Sequence, residues 1–247
     1  TTIYVRFKVK QTKSNKIKDS EIVIWTTTPW TIPGNRAVAF GAKIKYCLLS
    51  IKKVTEESIA NVNDKVVIAK DLIDDFVNEN KIIDYKVLSE LDANDFKDTI
   101  LYHPLSDYGY DHDVPLLEAN FVTTEQGTGF VHIAPGHGAD DFQLGMLNSL
   151  PVLETVEDDG YLKDNLPLLG GLHVLRDNEK IADIIAEKKS LIGRGTLVHS
   201  YPHSWRSKAP LIFRTTPQWF ISMEKTDLRK LAIDSIINTD FYPIQGS

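Results

Sequence analysis

The sequence predicts a β-rich α+β domain, built as a closed or partly closed β-barrel with helices packed around it. Stretches with the apolar pattern of strands greatly outnumber those with helical periodicity. The strands also do not alternate regularly with helices, as they would in a doubly wound parallel sheet. A length of 247 residues is enough to bury a substantial core. We therefore expect a single domain over residues 1–247, with peripheral strands and helices at 1–20 and 200–247.

The first half of the chain carries most of the predicted strands. Ile3, Val5, Phe7 and Val9 alternate with polar neighbours, which indicates a half-buried strand. Further strands are predicted at residues 21–25, 37–40, 43–51, 65–69 and 81–87. Helical spacing of apolar residues predicts a short helix over 71–78, whereas residues 92–103 give no clear signal.

The second half mixes strands with three helices. Strands are predicted at residues 114–122, 152–156 and 196–200, and helices at 140–150, 177–189 and 227–237. The helix over 177–189 places Ile181, Ile184 and Ile185 on one face, and Asp177 or Asn178 can cap its start.

Residues 25–37, here named the threonine segment, combine turn-forming and hydrogen-bonding residues. Pro29, Pro33 and Gly34 prevent regular structure. The hydroxyl and amide groups come from Thr26, Thr27, Thr28, Thr31 and Asn35, and Trp30 adds one large apolar face. Such a wall suits ligand binding, but the same composition is typical of turns at a sheet edge, so a structural interpretation stays open.

Residues 127–141, here named the glycine-rich segment, predict a strand that breaks at Pro135-Gly136 and leads into a helix. Histidines 132 and 137 and two aspartates, Asp140 and Asp141, concentrate at this junction. A polar cluster between a strand and a helix predicts a functional site. The structural alternative is that the aspartates complement the helix dipole and His132 is a core or solvent-facing histidine.

Composition excludes several classes of protein. The net charge of −6 gives no sign of nucleic-acid binding by the whole chain, although a local basic patch stays open. Cys47 is the single cysteine, so an internal disulfide and a cysteine zinc cage are excluded. Neither a signal peptide nor an apolar run of membrane-spanning length is found. We expect a cytoplasmic protein that does not contact membranes.

The threonine and glycine-rich segments together resemble the editing domain of isoleucyl-tRNA synthetases. Further matches, in the same order along the chain, are His103-Pro104 and residues 170–174, 201–206 and 216–220. Valyl and leucyl relatives typically have Arg-Pro followed by an acidic residue, where this chain has the isoleucyl form Thr28-Pro29-Trp30. One departure is Ser204, at a position where bacterial members often have a cysteine.

The resemblance implies hydrolytic proofreading on the barrel fold shared by valyl, isoleucyl and leucyl editing domains. An isoleucine pocket rejects valine by only about 1–3 kcal/mol per methylene, a figure for which isoleucyl enzymes are themselves the usual example. A second site would therefore hydrolyse valyl-tRNA(Ile), with valyl-adenylate as a further candidate substrate, and would refuse isoleucine by size.

The same resemblance implies roles for individual residues. The expected catalytic residues are Thr27, Thr28, Thr31, Asn35 and Asp141; the expected substrate-binding residues are Thr26, Trp30, His132, Gly136, His137 and Asp140. Asp141 would hold the substrate ammonium, and His132 would crowd the side-chain subsite. The threonines and Asn35 would orient the ester, the ribose hydroxyls and an attacking water.

Neither class I synthetase signature of the HIGH or KMSKS type occurs in the chain, and no βαβ nucleotide-binding pattern is found. We therefore expect an editing insertion cut out of a larger synthetase, joined to it through residues 1–20 and 200–247. The domain itself would use no cofactor or metal, whereas the synthetase core would use ATP and Mg²⁺. The expected partners are the 3′ acceptor end of tRNA(Ile) carrying valine and the rest of the synthetase, with no membrane, in a monomer.

Two rival classes stay open at this point. A metallohydrolase would use His132, His137, Asp140 and Asp141 as ligands. A noncatalytic RNA-docking module would use the barrel only to hold the acceptor end.

Overall fold

A computed structural model describes residues 1–198 and 200–242, which fall into two compact units at 1–215 and 216–247. The described part of the first unit contains ten strands and three α-helices. The strands are β1 (Thr2–Gln11), β2 (Glu21–Thr26), β3 (Ala37–Phe40), β4 (Tyr46–Val54), β5 (Lys65–Ala69), β6 (Ile82–Leu91), β7 (Ile100–Tyr102), β8 (Asp113–Glu118), β9 (Phe130–Ile133) and β10 (Leu191–Gly195). The helices are α1 (Ile73–Glu79), α2 (Ala139–Leu147) and α3 (Asn178–Glu187), and the second unit contains α4 (Leu228–Ile237).

The ten strands form one sheet in the order β6-β4-β5-β2-β1-β7-β8-β3-β9, with β10 paired to β1. The β2–β5 and β3–β8 pairs are parallel, and the remaining pairs are antiparallel. This architecture confirms the β-rich α+β class. Among the described strands no pairing joins β6 to β9, so closure of the predicted barrel is not confirmed. β2 and β9 nevertheless pass close to each other.

β1 organises the sheet, although residues 1–20 are predicted from the sequence to be peripheral. Its first half pairs with β2 and β10, and its end pairs with β7. Ile3, Val5 and Phe7 are fully buried, as their alternation predicts, and Tyr4 and Arg6 on the other face are buried as well. The strand is therefore covered on both faces over its first half.

Two strand predictions are wrong. The described residues of 196–200 lie outside any strand, and the strand lies at Leu191–Gly195 instead. This strand contains two glycines, which have low strand propensity, so the sequence does not indicate a strand there. Gly193 is needed there because a Cβ at this position would overlap the Asn80 side chain, at 1.5 Å from Oδ1. Residues 152–156 form only the isolated bridge between Val156 and Leu162.

An aromatic cluster holds the start of the glycine-rich segment in place. Tyr46, Phe96 and Phe130 pack with ring centroids 4.6–5.5 Å apart. The Tyr46 hydroxyl donates to the Gly129 carbonyl oxygen at 2.8 Å. Gly129 has φ of 78°, and a Cβ there would lie 2.3 Å from the Ala69 Cβ. Only glycine fits this approach, which brings β9 to its position beside β3.

α3 and α4 confirm the helices predicted at 177–189 and 227–237, apart from one or two residues at their ends. The helices of residues 1–198 and 200–242 all fall short of the length and apolar character that crossing a bilayer requires.

Candidate functional site

A pocket of about 160 Å³ lies where the end of β2 and the threonine segment face β9 and the start of α2. Its lining comprises Trp25, Thr26, Thr28, Thr31, Val131, His132, Ala134, His137 and Asp141. Six of these nine residues were predicted as site residues: Thr26, Thr28, Thr31, His132, His137 and Asp141. The fold thus brings together two segments about one hundred residues apart in the chain.

The other five predicted residues lie around the pocket rather than in its lining. Trp30, Asn35 and Gly136 are buried behind it, Thr27 is half-buried, and Asp140 is exposed on the first turn of α2. Trp30 packs edge-to-face on the pocket residue His137, with ring centroids 5.1 Å apart. Six of the eleven predicted residues therefore line the pocket, and these five do not.

The threonine segment forms a 3₁₀-helix at Pro29–Gly34, entered through Thr28. The Thr31 hydroxyl donates to the Thr28 carbonyl oxygen at 2.9 Å, and the Thr28 amide donates to the Thr26 hydroxyl at 3.1 Å. The Thr28 hydroxyl lies 3.2 Å from that of Thr26 and 3.4 Å from that of Thr31. These are long contacts for hydroxyl pairs, so Thr28 is the hydroxyl best placed to bond a ligand.

His132 projects from β9 and has both ring nitrogens occupied. The Asn35 Nδ2 donates to the Ala37 carbonyl oxygen and to His132 Nδ1, both at 2.8 Å. Nδ1 is therefore the unprotonated nitrogen, and Nε2–H donates to the Thr31 hydroxyl at 2.9 Å. Burial, with a smaller effect of the His137 charge, lowers the pKa of His132 to about 3. The ring is thus neutral. It limits the space in the pocket, but it has no free nitrogen that could act as a base.

His137 forms another wall of the pocket with its ring nitrogens also occupied. Nδ1 donates to the Phe213 carbonyl oxygen at 3.0 Å, and Nε2 accepts from the Thr155 hydroxyl at 2.6 Å. Burial lowers the pKa of His137 below its usual range, which agrees with a neutral ring. These two partners, Thr155 and Phe213, were not predicted because they lie far from His137 in the sequence and have no motif of their own.

Asp141 contributes a half-buried carboxylate to the pocket. Its Oδ2 accepts the Ala134 amide at 2.8 Å, which ties the start of α2 to the end of β9. Burial raises the pKa of Asp141 to about 6; the neighbouring Asp140 charge also raises it, and the Ala134 hydrogen bond opposes both. A carboxylate with a raised pKa in a small pocket is a strong candidate for a ligand-binding group.

Trp25, Val131 and Ala134 line the pocket but were not predicted as site residues. Trp25 directly precedes the threonines and has the signal of a large aromatic residue at a strand end. Val131 and Ala134 are small apolar residues of β9 and the turn after it, and nothing in their type marks them as site residues.

The metal-site alternative gains no support from this geometry. Within residues 1–198 and 200–242, no group of three or more His, Cys, Asp or Glu residues is arranged to hold a metal ion. His132 and His137 direct their ring nitrogens to protein partners instead.

A larger cavity of about 770 Å³ contains none of the predicted site residues. Its lining includes cationic Arg6, Lys8, Lys188 and Lys189, anionic Asp107, Asp111 and Glu187, and six other residues. These opposite charges favour no single ligand class. The smaller pocket is the better candidate because its polar groups converge on one point.

Comparisons with known proteins place the chain in a family. Isoleucine–tRNA ligase of Pelagibacter ubique is 46% identical over 245 residues, which cover 99% of this chain and 27% of the ligase. Isoleucine–tRNA ligase of Gluconobacter oxydans is 42% identical over 257 residues, covering 98% and 27%. No protein-family model matches the chain. The chain therefore spans about 27% of the length of these curated relatives.

Solved structures with a similar fold are also found. The crystal structure of GlLeuRS-CP1 aligns with a TM-score of 0.61 at 12% identity, covering 82% of this chain and 100% of that one. The P. knowlesi cytosolic leucyl-tRNA synthetase editing domain aligns with a TM-score of 0.58 at 10% identity, covering 78% of this chain and 96% of that one. The chain thus belongs to the isoleucine–tRNA ligase family, as a segment with the fold of a synthetase editing domain.

Proposed function

We propose that this segment proofreads for an isoleucine–tRNA ligase by hydrolysing the ester of valyl-tRNA(Ile), while refusing isoleucine by size. The observation that carries the proposal is the composition of the 160 Å³ pocket. It combines a carboxylate from Asp141, a hydroxyl wall from the threonine segment, and an immobilised imidazole from His132. A charged group, a set of orienting groups and a steric block are the three elements that a selective ester hydrolase needs.

The substrate ammonium is the natural partner of Asp141. A pKa of about 6 leaves this carboxylate ionised at neutral pH. A half-buried ion pair with the ammonium of an aminoacyl ester is a charge-assisted contact, stronger than one in open water. Because every aminoacyl ester carries this ammonium, Asp141 would anchor valine and isoleucine alike, and discrimination would come from elsewhere in the pocket.

His132 is suited to supply that discrimination. Its ring is 8% exposed and is held by Thr31 on one side and Asn35 on the other. A side chain fixed by two hydrogen bonds in a packed environment does not move aside for an extra methylene. A ring so placed would admit valine and clash with isoleucine.

The geometry favours a water nucleophile over a protein nucleophile. Thr31 and His132 lie at the 2.9 Å distance of a nucleophile–base pair. The imidazole nitrogen that faces Thr31 carries a proton, however, because Nδ1 accepts from Asn35. The threonine hydroxyl therefore has no base beside it.

Water would add to the ester carbonyl carbon, oriented by the Thr28 hydroxyl and its neighbours. The bond between that carbon and the terminal ribose oxygen then breaks. The proton of the water passes to the ribose oxygen, which releases valine and free tRNA. With valyl-adenylate, the further candidate substrate, the bond between the carbonyl carbon and the phosphate oxygen breaks instead, and AMP leaves.

This function implies two binding partners for the domain, a tRNA and the remainder of a ligase. The acceptor end of tRNA(Ile) would enter the pocket, and the remainder of a ligase would hold the tRNA body and carry out synthesis with ATP and Mg²⁺. The proposed hydrolysis uses side chains and water, and we propose no cofactor for it. We place the activity in the cytoplasm, in a monomeric ligase.

The test is a double variant, Thr28→Ala with Asn35→Ala, in the complete ligase. Valyl-tRNA deacylation should slow, while isoleucine activation, which takes place in another part of the ligase, stays normal. Unchanged deacylation would reduce the threonine segment to a structural turn. A wild-type ligase that holds valyl-tRNA at this domain without hydrolysing it would instead favour the noncatalytic docking module.

A further inference from the structure

His103 lies directly behind the threonine segment and has no role in the function described so far. It follows β7, at the start of the connection to β8, and is 1% exposed. It is absent from the lining of the 160 Å³ pocket, so it does not contact a ligand there. The sequence marks it only as half of the His103-Pro104 pair.

Both ring nitrogens of His103 make defined hydrogen bonds. The Leu105 amide donates to Nδ1 at 3.1 Å, which leaves the proton on Nε2. Nε2–H then donates to the Ile32 carbonyl oxygen at 3.0 Å, within the 3₁₀-helix of the threonine segment. The ring is stacked on Tyr110, with centroids 4.9 Å apart and planes at 19°. Burial lowers the pKa of His103 to about 3, which agrees with the neutral tautomer.

The Ile32 carbonyl connects His103 to the pocket. This oxygen also accepts the Asn35 amide at 3.0 Å. The Asn35 side chain in turn fixes His132 Nδ1. His103 is therefore joined to His132 through one shared carbonyl and one asparagine, all inside the protein core.

We propose that His103 is a positioning residue of the editing site, which holds the Ile32 carbonyl and thereby sets the position of Asn35 and His132. This inference rests on the proposed function, since it concerns the same pocket. It predicts two effects of losing the Nε2–H donor. The threonine segment, which orients the ester and the water, is held less precisely, so that kcat falls. The His132 ring is also held less precisely, so that isoleucine is rejected less well.

His173 offers a matched control for the local structure around His103. Its Nδ1 accepts the amide of Leu175, two residues on, at 3.2 Å, just as His103 accepts the amide of Leu105. Its ring also packs on a tyrosine, Tyr161, at 5.1 Å. His173 has no hydrogen bond to the threonine segment among the described residues. Replacing it by phenylalanine therefore breaks the same kind of turn without touching the site.

The experiment compares His103→Phe, His103→Gln and His173→Phe in the complete ligase, with deacylation of valyl-tRNA and isoleucyl-tRNA measured side by side. His103→Phe keeps a ring on Tyr110 but loses both hydrogen bonds. Its kcat on valyl-tRNA should fall roughly 10- to 100-fold, because small misplacements of orienting groups have effects of this order. KM should stay near the wild-type value, and the preference for valyl-tRNA over isoleucyl-tRNA should decrease.

His103→Gln keeps an N–H donor that can reach the Ile32 carbonyl and should recover most of the lost kcat and preference. His173→Phe should leave both unchanged. Equal losses in His103→Phe and His173→Phe, or an unchanged kcat in His103→Phe, would overturn the inference while leaving the proposed function intact. If His103→Phe does not fold, His103→Gln decides the question. A folded His103→Gln that has lost the preference for valyl-tRNA overturns the inference, and one that retains this preference supports it. A wild-type ligase inactive on valyl-tRNA would fail the proposed function itself.

Discussion

The two walls of the candidate pocket differ in how their polar groups are used. On one side, Thr31 and His132 line the pocket with Asn35 buried behind them; the three are 5%, 8% and 0% exposed and hydrogen-bond to one another or to nearby backbone. On the other side, Asp141 is half-buried, accepts a backbone amide and carries a charge at neutral pH. The first wall is neutral and held rigidly, whereas the second can bind a charge.

This difference separates two tasks of a selective hydrolase. Exclusion by shape needs a side chain that does not move, and a buried neutral imidazole held at both nitrogens meets that need. Anchoring an ammonium needs a carboxylate that has not been neutralised by an internal cation. The variants below test each wall separately.

Asp141→Asn should have the largest effect, on the charged wall. The asparagine oxygen can still accept the Ala134 amide, so the fold is kept while the charge is lost. Losing a desolvated partner of the ammonium costs about 2–5 kcal/mol. Valyl-tRNA deacylation, measured as kcat/KM, should fall roughly 30-fold to several thousandfold.

Asp140→Asn is the matched control for this variant, because Asp140 is exposed on the same turn of α2. It should reduce kcat/KM by less than about fivefold. The pH profile gives a second check: wild-type kcat/KM should rise between pH 5 and 7 with a midpoint near the Asp141 pKa of about 6, and this step should vanish in Asp141→Asn. Equal losses in the two variants would show that Asp141 acts through general surface charge.

His132→Ala should change specificity, through the rigid wall. Removing the ring opens space for the added methylene, while Asp141 still anchors both esters. One buried methylene is worth only about 0.8 kcal/mol, so without the block the two esters should be cleared at rates within about tenfold of each other. Deacylation of isoleucyl-tRNA should therefore rise, and net isoleucylation should fall. A loss of hydrolysis on both esters would instead make His132 catalytic.

Asn35→Ala should lower the stability of the rigid wall. It leaves the Ala37 carbonyl and His132 Nδ1 without their donor in a buried site, which costs about 1–3 kcal/mol. Thr28→Ala is the comparison, because the Thr28 hydroxyl makes only long contacts to two other hydroxyls. It should cost less than about 1 kcal/mol in urea unfolding while still slowing deacylation. A reversed order of stabilities would mean that Thr28, not Asn35, holds the wall.

Acid should also destabilise the fold around the rigid wall. The pKa values of His132 and His103 are lowered in the folded state from an ordinary 6.5 to about 3. The unfolded chain then binds protons that the folded one refuses, so stability is complete above pH 6.5 and is lost as the pH falls towards 3. Each histidine should contribute a slope of about 1.4 kcal/mol per pH unit in that window. Urea unfolding of wild type and His132→Gln between pH 7 and 4 measures it, and an equal slope in both excludes His132 as a contributor.

Much of the fold could be predicted because burial leaves a local pattern. The alternation in β1 and the apolar runs of β2, β3 and β5 each follow from side chains that face the core. β10 was misplaced because Gly193 is required by a tertiary neighbour, Asn80, and not by strand propensity. Local signals therefore failed where a distant residue set the requirement.

The sequence by itself determined which residue types would form the site, since the threonines, histidines and aspartates stand together in two short segments. It also determined the family through the order of its motifs. Only the tertiary structure decided which of the two aspartates faces the pocket, because Asp140 and Asp141 differ by one position on a helix whose orientation depends on packing. It also decided that His132 is a neutral obstacle and not a base. That outcome depends on Asn35, 97 residues away, donating to Nδ1, and no local pattern encodes such a contact.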